Sequence, residues 1–232
     1  MKARKSTVVA VCFVLLGTAT SAQAAAHLYA STVWGTLYDL NPATGQATNP
    51  RDTGTVHLVD IEVDSDGTMY GLTSWGGQPP NSLVRINPAA GDATLVGATG
   101  LNSIYEGDLA LDPATGQLYG ASDYSGGDLR LFRIDKNSGA ATVVGAIPYF
   151  GDFSGLAFDR DGNLFTIDTD SRLLFKLDKN NAGILVQVPL TGFHGSITAG
   201  MAADPTSGIM YVASGDVPTS WLYSLATDTG VL

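Results

Sequence analysis

Hydrophobic and polar residues alternate in short segments along most of the chain. In the segment that begins at Leu131, Phe132 and Ile134 are apolar, whereas Arg133 and Asp135 are polar. A period of two is typical of a β-strand with one buried face. The same inward pairs recur as Tyr38/Leu40, Val84/Ile86, Phe175/Leu177 and Tyr223/Leu225. No stretch of useful length has the 3.6-residue period of an amphipathic helix, so the pattern predicts an all-β protein.

These strands belong to an internal repeat. Gly155-Leu-Ala-Phe-Asp159 has counterparts that end at Asp64, Asp112 and Asp204, and the four aspartates are spaced 48, 47 and 45 residues apart. Each unit reads as strand, tight turn, strand, longer loop, strand, tight turn, strand. Asp or Asn opens the turns, Pro sets φ in several of them, and Gly takes the positive-φ position. A period near 45 residues is typical of one four-stranded propeller blade.

The repeat therefore predicts a β-propeller of four-stranded blades. Radial stacking would bury both faces of each sheet and leave only short edges, whereas the alternative, a solenoid of β coils, has shorter repeats. The units number about four and a half. They cover about 27–50, 58–97, 107–146, 154–189 and 198–232. The first lacks its first strand and the last stops as its fourth begins, so we expect a truncated chain or an open propeller with unpaired edges.

The N-terminus has the features of an export signal. A basic start is followed by an apolar run over 8–16 and by the small-residue sequence Ala22-Gln23-Ala24. The run is too short to span a bilayer. These features predict a signal peptide over 1–24, cleaved after Ala24, and a propeller domain over 25–232 in a secreted or periplasmic protein.

The charge and the cysteine content limit the kinds of partner that the protein can bind and the ways in which it can be stabilised. The formal charge is −10 for the whole chain, and the mature part would keep nine basic against 22 acidic residues, a charge of −13. Phosphate backbones and anionic headgroups repel such a chain, so we expect no nucleic acid partner and no membrane insertion after signal cleavage. The only cysteine, Cys12, lies in the signal, so stability must come from packing rather than disulfides.

Four short segments carry a family resemblance. They are Tyr211-Val-Ala-Ser, Tyr119-Gly-Ala-Ser, Tyr70-Gly-Leu-Thr and Phe165-Thr-Ile-Asp, all at one position of the repeat. On these, the chain resembles exported bacterial β-propellers of the YVTN, NHL and gluconolactonase-like kind over nearly all of its mature length. The Asn-Pro-Ala-Thr-Gly turn is similar to that of quinoprotein propellers, but the tryptophan expected after Gly45, Gly91 and Gly139 is absent. No quinone cofactor is implied.

One face of the predicted propeller is the better candidate for binding. The loops between the second and third strands and those between blades share this face, and they contain aromatic rings interleaved with carboxylates, whereas the tight turns contain no aromatic residue. The candidate ligand-binding residues are Trp75, Tyr105, Glu106, Asp123, Tyr124, Tyr149, Phe150, Asp152, Asp168, Asp170 and His194. Rings and carboxylates on loops suit a carbohydrate or a protein or peptide ligand. The alternative for each ring is that it only covers core between blades.

Metal and catalytic signatures are weak. Asp168 and Asp170 are the best candidates for calcium, but the later glutamate and the spacing of an EF-hand are missing. The three histidines fall in different units without cysteine, and no Gly-x-Ser-x-Gly elbow is present, so we predict no catalytic residue and no cofactor.

The sequence therefore predicts a non-catalytic binding or interaction module. The alternative is a metal-dependent, lactonase-like hydrolase with an acidic site at the mouth of the central channel. Its candidate residues are Glu106, Asp152 and Asp168.

Overall fold

The described residues form β-strands joined by turns and loops. The computed structural model describes residues 8–14, 27–124, 128–151, 153–168, 170–192, 198–214 and 221–232, and it describes only the backbone of 8–14, 123, 124, 128, 198 and 199. In these ranges no helix is long and apolar enough to cross a membrane.

The strands form five antiparallel sheets, the blades. Blade 1 contains β1 (Val8–Val14), β2 (His27–Thr32), β3 (Thr36–Leu40) and β4 (Ala47–Asp52). Blade 2 contains β5 (Leu58–Val63), β6 (Met69–Thr73), β7 (Ser82–Ile86) and β8 (Ala93–Ala98). Blade 3 contains β9 (Gly107–Leu111), β10 (Leu118–Tyr124), β11 (Asp128–Ile134) and β12 (Ala141–Ala146). Blade 4 contains β13 (Phe153–Phe158), β14 (Leu164–Asp168), β15 (Leu173–Leu177) and β16 (Ile184–Pro189). Blade 5 contains β17 (Thr198–Ala203), β18 (Met210–Ser214) and β19 (Trp221–Leu225).

The first strands of the blades form a closed ring around the central axis. Each of β1, β5, β9, β13 and β17 contacts the next, and β17 contacts β1. The described chain thus has five blades of three or four strands, where the repeats indicated about four and a half units. In the described chain the ring is closed, because β1, which lies within the predicted signal peptide, pairs with β2 and supplies the first strand that the repeats of blade 1 lack. The expectation of an open or truncated ring concerned the chain over 25–232 after signal cleavage, and it stays a prediction.

The inner strands of the blades are buried on both faces, as radial stacking predicts, whereas the outer strands β4, β8, β12 and β16 are largely exposed. In β11, Phe132 belongs to a buried cluster that includes Leu72 of blade 2, whereas the adjacent Leu131 belongs to a cluster that includes Leu156 of blade 4, and both are fully buried. Because each sheet lies between two others, its strands carry apolar residues on both sides. The inward pairing itself is confirmed for β11, where Phe132 and Ile134 are buried.

Neighbouring blades are also linked by polar side chains. The buried Asp60 carboxylate accepts hydrogen bonds from the backbone N–H groups of Ile61, at 2.8 Å, and Leu109 of the next blade, at 2.6 Å. Asp108 repeats the link one blade further, where it accepts from Gly155 N at 2.9 Å. These carboxylates fix the register between successive inner strands.

Candidate ligand-binding face

The strand connections separate the two faces of the ring. The loops between second and third strands and the loops between blades lie on one face, which we call the loop face. The tight turns lie on the other, the turn face. On the loop face, the backbone N–H of Trp75 donates to Ile104 O at 2.9 Å, and that of Ser74 donates to His57 O at 3.0 Å. The β6–β7 loop is therefore tied to the inter-blade loops on both sides of blade 2.

Trp75 and Tyr105 form an exposed aromatic pair on the loop face. Their ring centroids lie 5.9 Å apart with the planes tilted by 57°. The two residues are 57% and 46% exposed. The Thr73 hydroxyl donates to Pro79 O at 2.6 Å, which fastens the loop that carries Trp75. A tilted pair of large rings, held at its backbone and open to solvent, offers a rigid apolar surface to a ligand.

A second exposed ring, which the sequence analysis missed, extends this pair. Trp34, in the β2–β3 loop, is 46% exposed and lies 6.2 Å from the His57 ring, centroid to centroid. A Cβ on Gly76 would lie 3.2 Å from His57 Nε2, so the imidazole packs directly against the loop of Trp75. We call Trp34, His57, Trp75 and Tyr105 the aromatic band. The repeated Trp-Gly at 34–35 and 75–76 was a sequence signal for it.

Tyr149 and Asp168 are placed together, but inside the loop face. The Tyr149 hydroxyl donates to Asp168 Oδ2 at 2.7 Å, and Ser171 Oγ donates to the same oxygen at 2.9 Å. Asp168 is 1% exposed, and the Tyr149 ring stacks on Phe153 at 5.3 Å. Burial and the Asp168 carboxylate raise the pKa of Tyr149, although the Ser171 hydroxyl opposes the rise. This arrangement joins two loops and covers core.

The remaining predicted residues do not form one described cluster. Glu106, Phe150 and Asp170 are exposed, and Phe150 is 89% exposed. The side chains of Asp123 and Tyr124, and the whole of Asp152 and His194, lie outside the described structure. Within the described ranges, no three His, Cys, Asp or Glu side chains come together as a group that could hold a metal ion.

The turn face contains a cavity that the sequence did not indicate. It has a volume of about 350 Å³ and lies where the inner strands of blades 2 to 5 end. Its lining includes Glu62, Asp64, Asp112, Phe158, Asp159 and Arg160. Two of the carboxylates are already paired across blades: Lys136 contacts Asp64, and Lys179 Nζ lies 2.7 Å from Asp112 Oδ2.

The charged groups near the axis have opposed pKa shifts. Burial would raise the pKa of Asp112, but hydrogen bonds from Lys179 and the Ala114 N–H outweigh it and hold the pKa below its ordinary value. For Asp60, burial and the Asp108 carboxylate raise the pKa well above its ordinary value, against the backbone N–H groups that it accepts. Both side chains are buried, so the opposite directions of their pKa shifts come from their partners: a lysine next to Asp112 and a second carboxylate next to Asp60.

Comparisons with known proteins identify the fold alone. No family model and no curated protein sequence matches the chain. Among solved structures, the chain is similar to one of a nidogen/laminin complex, at 12% identity and a TM-score of 0.61 over 94% of this chain and 76% of that one. A putative gluconolactonase is 19% identical with a TM-score of 0.55 over 87% and 71%. A gluconolactonase from Xanthomonas campestris is 17% identical with a TM-score of 0.54 over 84% and 67%.

Proposed function

We propose that this chain is an exported, non-catalytic binding module whose ligand contacts the loop face at Trp75 and Tyr105. The observation that carries the proposal is the exposed aromatic pair itself, with its ring centroids 5.9 Å apart. Isolated exposed rings are common on protein surfaces, but an exposed pair joined to further rings in a band is not expected of a surface that only faces water. The band spans loops of blades 1, 2 and 3.

The size of the rings gives the expected effect of removing one. A ligand that covers about 100 Å² of ring surface gains about 2.5 kcal/mol at roughly 25 cal/mol per Å². The costs of ordering the ligand reduce this gain, so we expect the loss of Trp75 to weaken binding by at least about tenfold.

The surroundings of the pair favour neutral or basic ligands. Glu106 is exposed next to Tyr105, and its carboxylate can accept hydrogen bonds from hydroxyl or amide groups. The acidic chain repels anions. We therefore propose a neutral glycan or an uncharged or basic peptide as the ligand, since both present apolar faces together with hydrogen-bond donors.

Binding to arrays of neutral glycans and of peptides tests this function. We expect Trp75→Ala to lose at least about tenfold in affinity, because it removes the ring most exposed in the pair. Trp221→Ala is the matched control, since Trp221 is 49% exposed but lies on β19 of blade 5, and it should keep wild-type affinity. Equal losses in both variants, or no ligand on either array, would contradict the proposal.

A lactonase-like hydrolase is the second candidate. Two of the similar structures are a gluconolactonase and a putative gluconolactonase, and this chain is similar to both in fold. Such an enzyme would need the acidic candidates Glu106, Asp152 and Asp168. Of these, Glu106 is exposed, Asp168 is buried, and Asp152 lies outside the described residues. Lactone hydrolysis that depends on an added divalent ion and is lost in Glu106→Gln would support the hydrolase. Unchanged glycan or peptide binding in the presence of a chelator would favour the binding module.

A further inference from the structure

The aromatic band runs across three successive blades. Trp34 lies in the β2–β3 loop of blade 1, His57 lies between blades 1 and 2, Trp75 lies in the β6–β7 loop of blade 2, and Tyr105 lies between blades 2 and 3. The ring centroids are 6.2 Å apart in the Trp34–His57 pair and 5.9 Å apart in the Trp75–Tyr105 pair. Because blade 2 lies between blades 1 and 3, the two pairs follow one another along the loop face.

The loop that carries Trp34 is tied to the blades, as is the loop that carries the other exposed pair. The backbone N–H of Leu58 donates to Val33 O at 3.3 Å, and the buried Thr53 hydroxyl donates to Gly35 O at 2.8 Å. Both neighbours of Trp34 in the chain are therefore held by blade 2 or by the segment that leads to it. A surface that is fixed before binding loses little conformational freedom when a ligand covers it.

The charges of these loops favour a ligand without negative charge. The band is carried by the segments 33–35, 53–57, 74–81 and 99–106, which contain one carboxylate, Glu106, one histidine, and no lysine or arginine. An anionic sugar chain would find no lysine or arginine in these segments, and the acidic protein as a whole would repel it. The charge pattern therefore favours a neutral ligand.

The hydrogen bonds of the loops favour a glycan over an extended peptide. The N–H of Trp75 donates to Ile104 O, that of Ser74 donates to His57 O, and that of Asn81 donates to Ser74 O. A peptide that binds through its main chain needs such groups as partners, and here they already pair with one another. A sugar ring instead lays its C–H face on an aromatic ring and keeps the hydroxyl groups at its edge in water.

We propose that the ligand of the loop face is a linear neutral glycan, and that the aromatic band binds successive sugar rings of one chain. The inference rests on the proposed function. The Trp75–Tyr105 pair is the first site, and Trp34 with His57 is an extension site. A sugar ring is about as large as the ring of a tyrosine, so a disaccharide covers one pair and only a longer chain contacts both.

The experiment compares chains of increasing length. The full chain is expressed in an exporting bacterium and the product is purified. The probes are cello-, xylo-, manno- and laminari-oligosaccharides from the disaccharide to the hexasaccharide, and dissociation constants are measured by NMR titration. The variants are Trp34→Ala and Trp75→Ala. Trp221→Ala is the matched control, because Trp221 is as exposed as Trp34 but lies on blade 5.

For at least one series, the wild-type affinity should rise at least about tenfold from the disaccharide to the longest chain. Trp34→Ala should remove this rise and keep the disaccharide affinity, so the same titration also shows that the variant is folded. Trp75→Ala should weaken the binding of every length, because it removes a ring of the first site. Trp221→Ala should match the wild type at all lengths.

Affinity that does not depend on chain length would overturn the inference. So would a Trp34→Ala variant that binds every length like the wild type or loses equally at every length, and so would the absence of binding in all four series. If a peptide binds and Trp75→Ala abolishes its binding while no glycan series binds, the inference fails and the proposed function stands. If Trp75→Ala weakens the binding of no glycan and no peptide, both fail.

Discussion

At the scale of single residues, the buried pair of Asp60 and Asp108 links stability to pH. Both Asp60 oxygens accept backbone N–H groups, so the carboxyl is held between two inner strands. Burial, Asp108 and, more weakly, Glu62 raise its pKa. A group whose pKa is higher in the folded than in the unfolded state adds stability that is complete below about pH 4 and is lost as the pH rises through the folded pKa.

Asp108→Asn should reduce this loss. The side-chain oxygen of the introduced amide can still accept from Gly155 N, while the charge next to Asp60 is removed. The pKa of Asp60 then falls, and the free energy of unfolding should decrease less between pH 4 and 8 than in the wild type, by about 1 kcal/mol or more. Urea unfolding over this pH range measures the difference.

The exposed Asp170→Asn is the control, and its pH profile should match the wild type. The pKa values of Asp39 and Asp112 are lowered, so their contributions to the free energy of unfolding decrease as the pH falls. This decrease should be the same in all three proteins. A profile of Asp108→Asn that overlays the wild type would contradict the account.

At the scale of elements, blade contacts depend on ion pairs that run from one blade to the next. Lys179, in the last turn of blade 4, reaches Asp112 in the first turn of blade 3, and its ammonium lies 5.4 Å from the centre of the Phe158 ring. The Lys136–Asp64 pair repeats the arrangement between blades 3 and 2. Loss of the lysine leaves a carboxylate that is 1% exposed with its charge uncompensated.

Lys179→Met should therefore destabilise the protein by about 1–3 kcal/mol in urea unfolding at pH 7, because Asp112 keeps only neutral donors such as the Ala114 N–H. Arg160→Met is the control: its ion pair with Asp161 spans 3.9 Å and both side chains are exposed, so we expect a change of less than about 0.5 kcal/mol. Equal effects would show that the pair contributes no more than a surface contact.

The sequence predicted the positions of the strands better than the contacts between strands and loops that lie far apart in the chain. The period of two and the Asp-to-Gly turns located second, third and fourth strands, because both are local properties. The repeats indicated that both faces of a sheet are buried, but they could not indicate which residues of a neighbouring blade meet Leu131, which shares a buried cluster with Leu156 of blade 4. In the same way, Tyr149 and Asp168 were predicted to face a ligand, and contacts between distant loops place them against each other.

At the scale of the whole molecule, five blades surround an axis whose two ends differ in chemistry. The turn-face end opens into a cavity lined by carboxylates, two of which pair with lysines across blades, whereas the loop face carries the aromatic band. The sequence indicated that the rings lie on one face, but their grouping over blades 1, 2 and 3 required the fold. The closed ring could not be predicted from the repeats, because β1, the strand that closes it, is not part of any repeat.

The most direct test of the binding account is an NMR titration that follows the indole N–H signals of the three tryptophans. Trp34 and Trp75 lie in the aromatic band, and Trp221 lies on β19 of blade 5. Adding a glycan or peptide retained in the array screen should shift the Trp75 signal and leave the Trp221 signal unchanged. Saturable binding that leaves the Trp75 signal unshifted, or that shifts only the Trp221 signal, would contradict the proposed site.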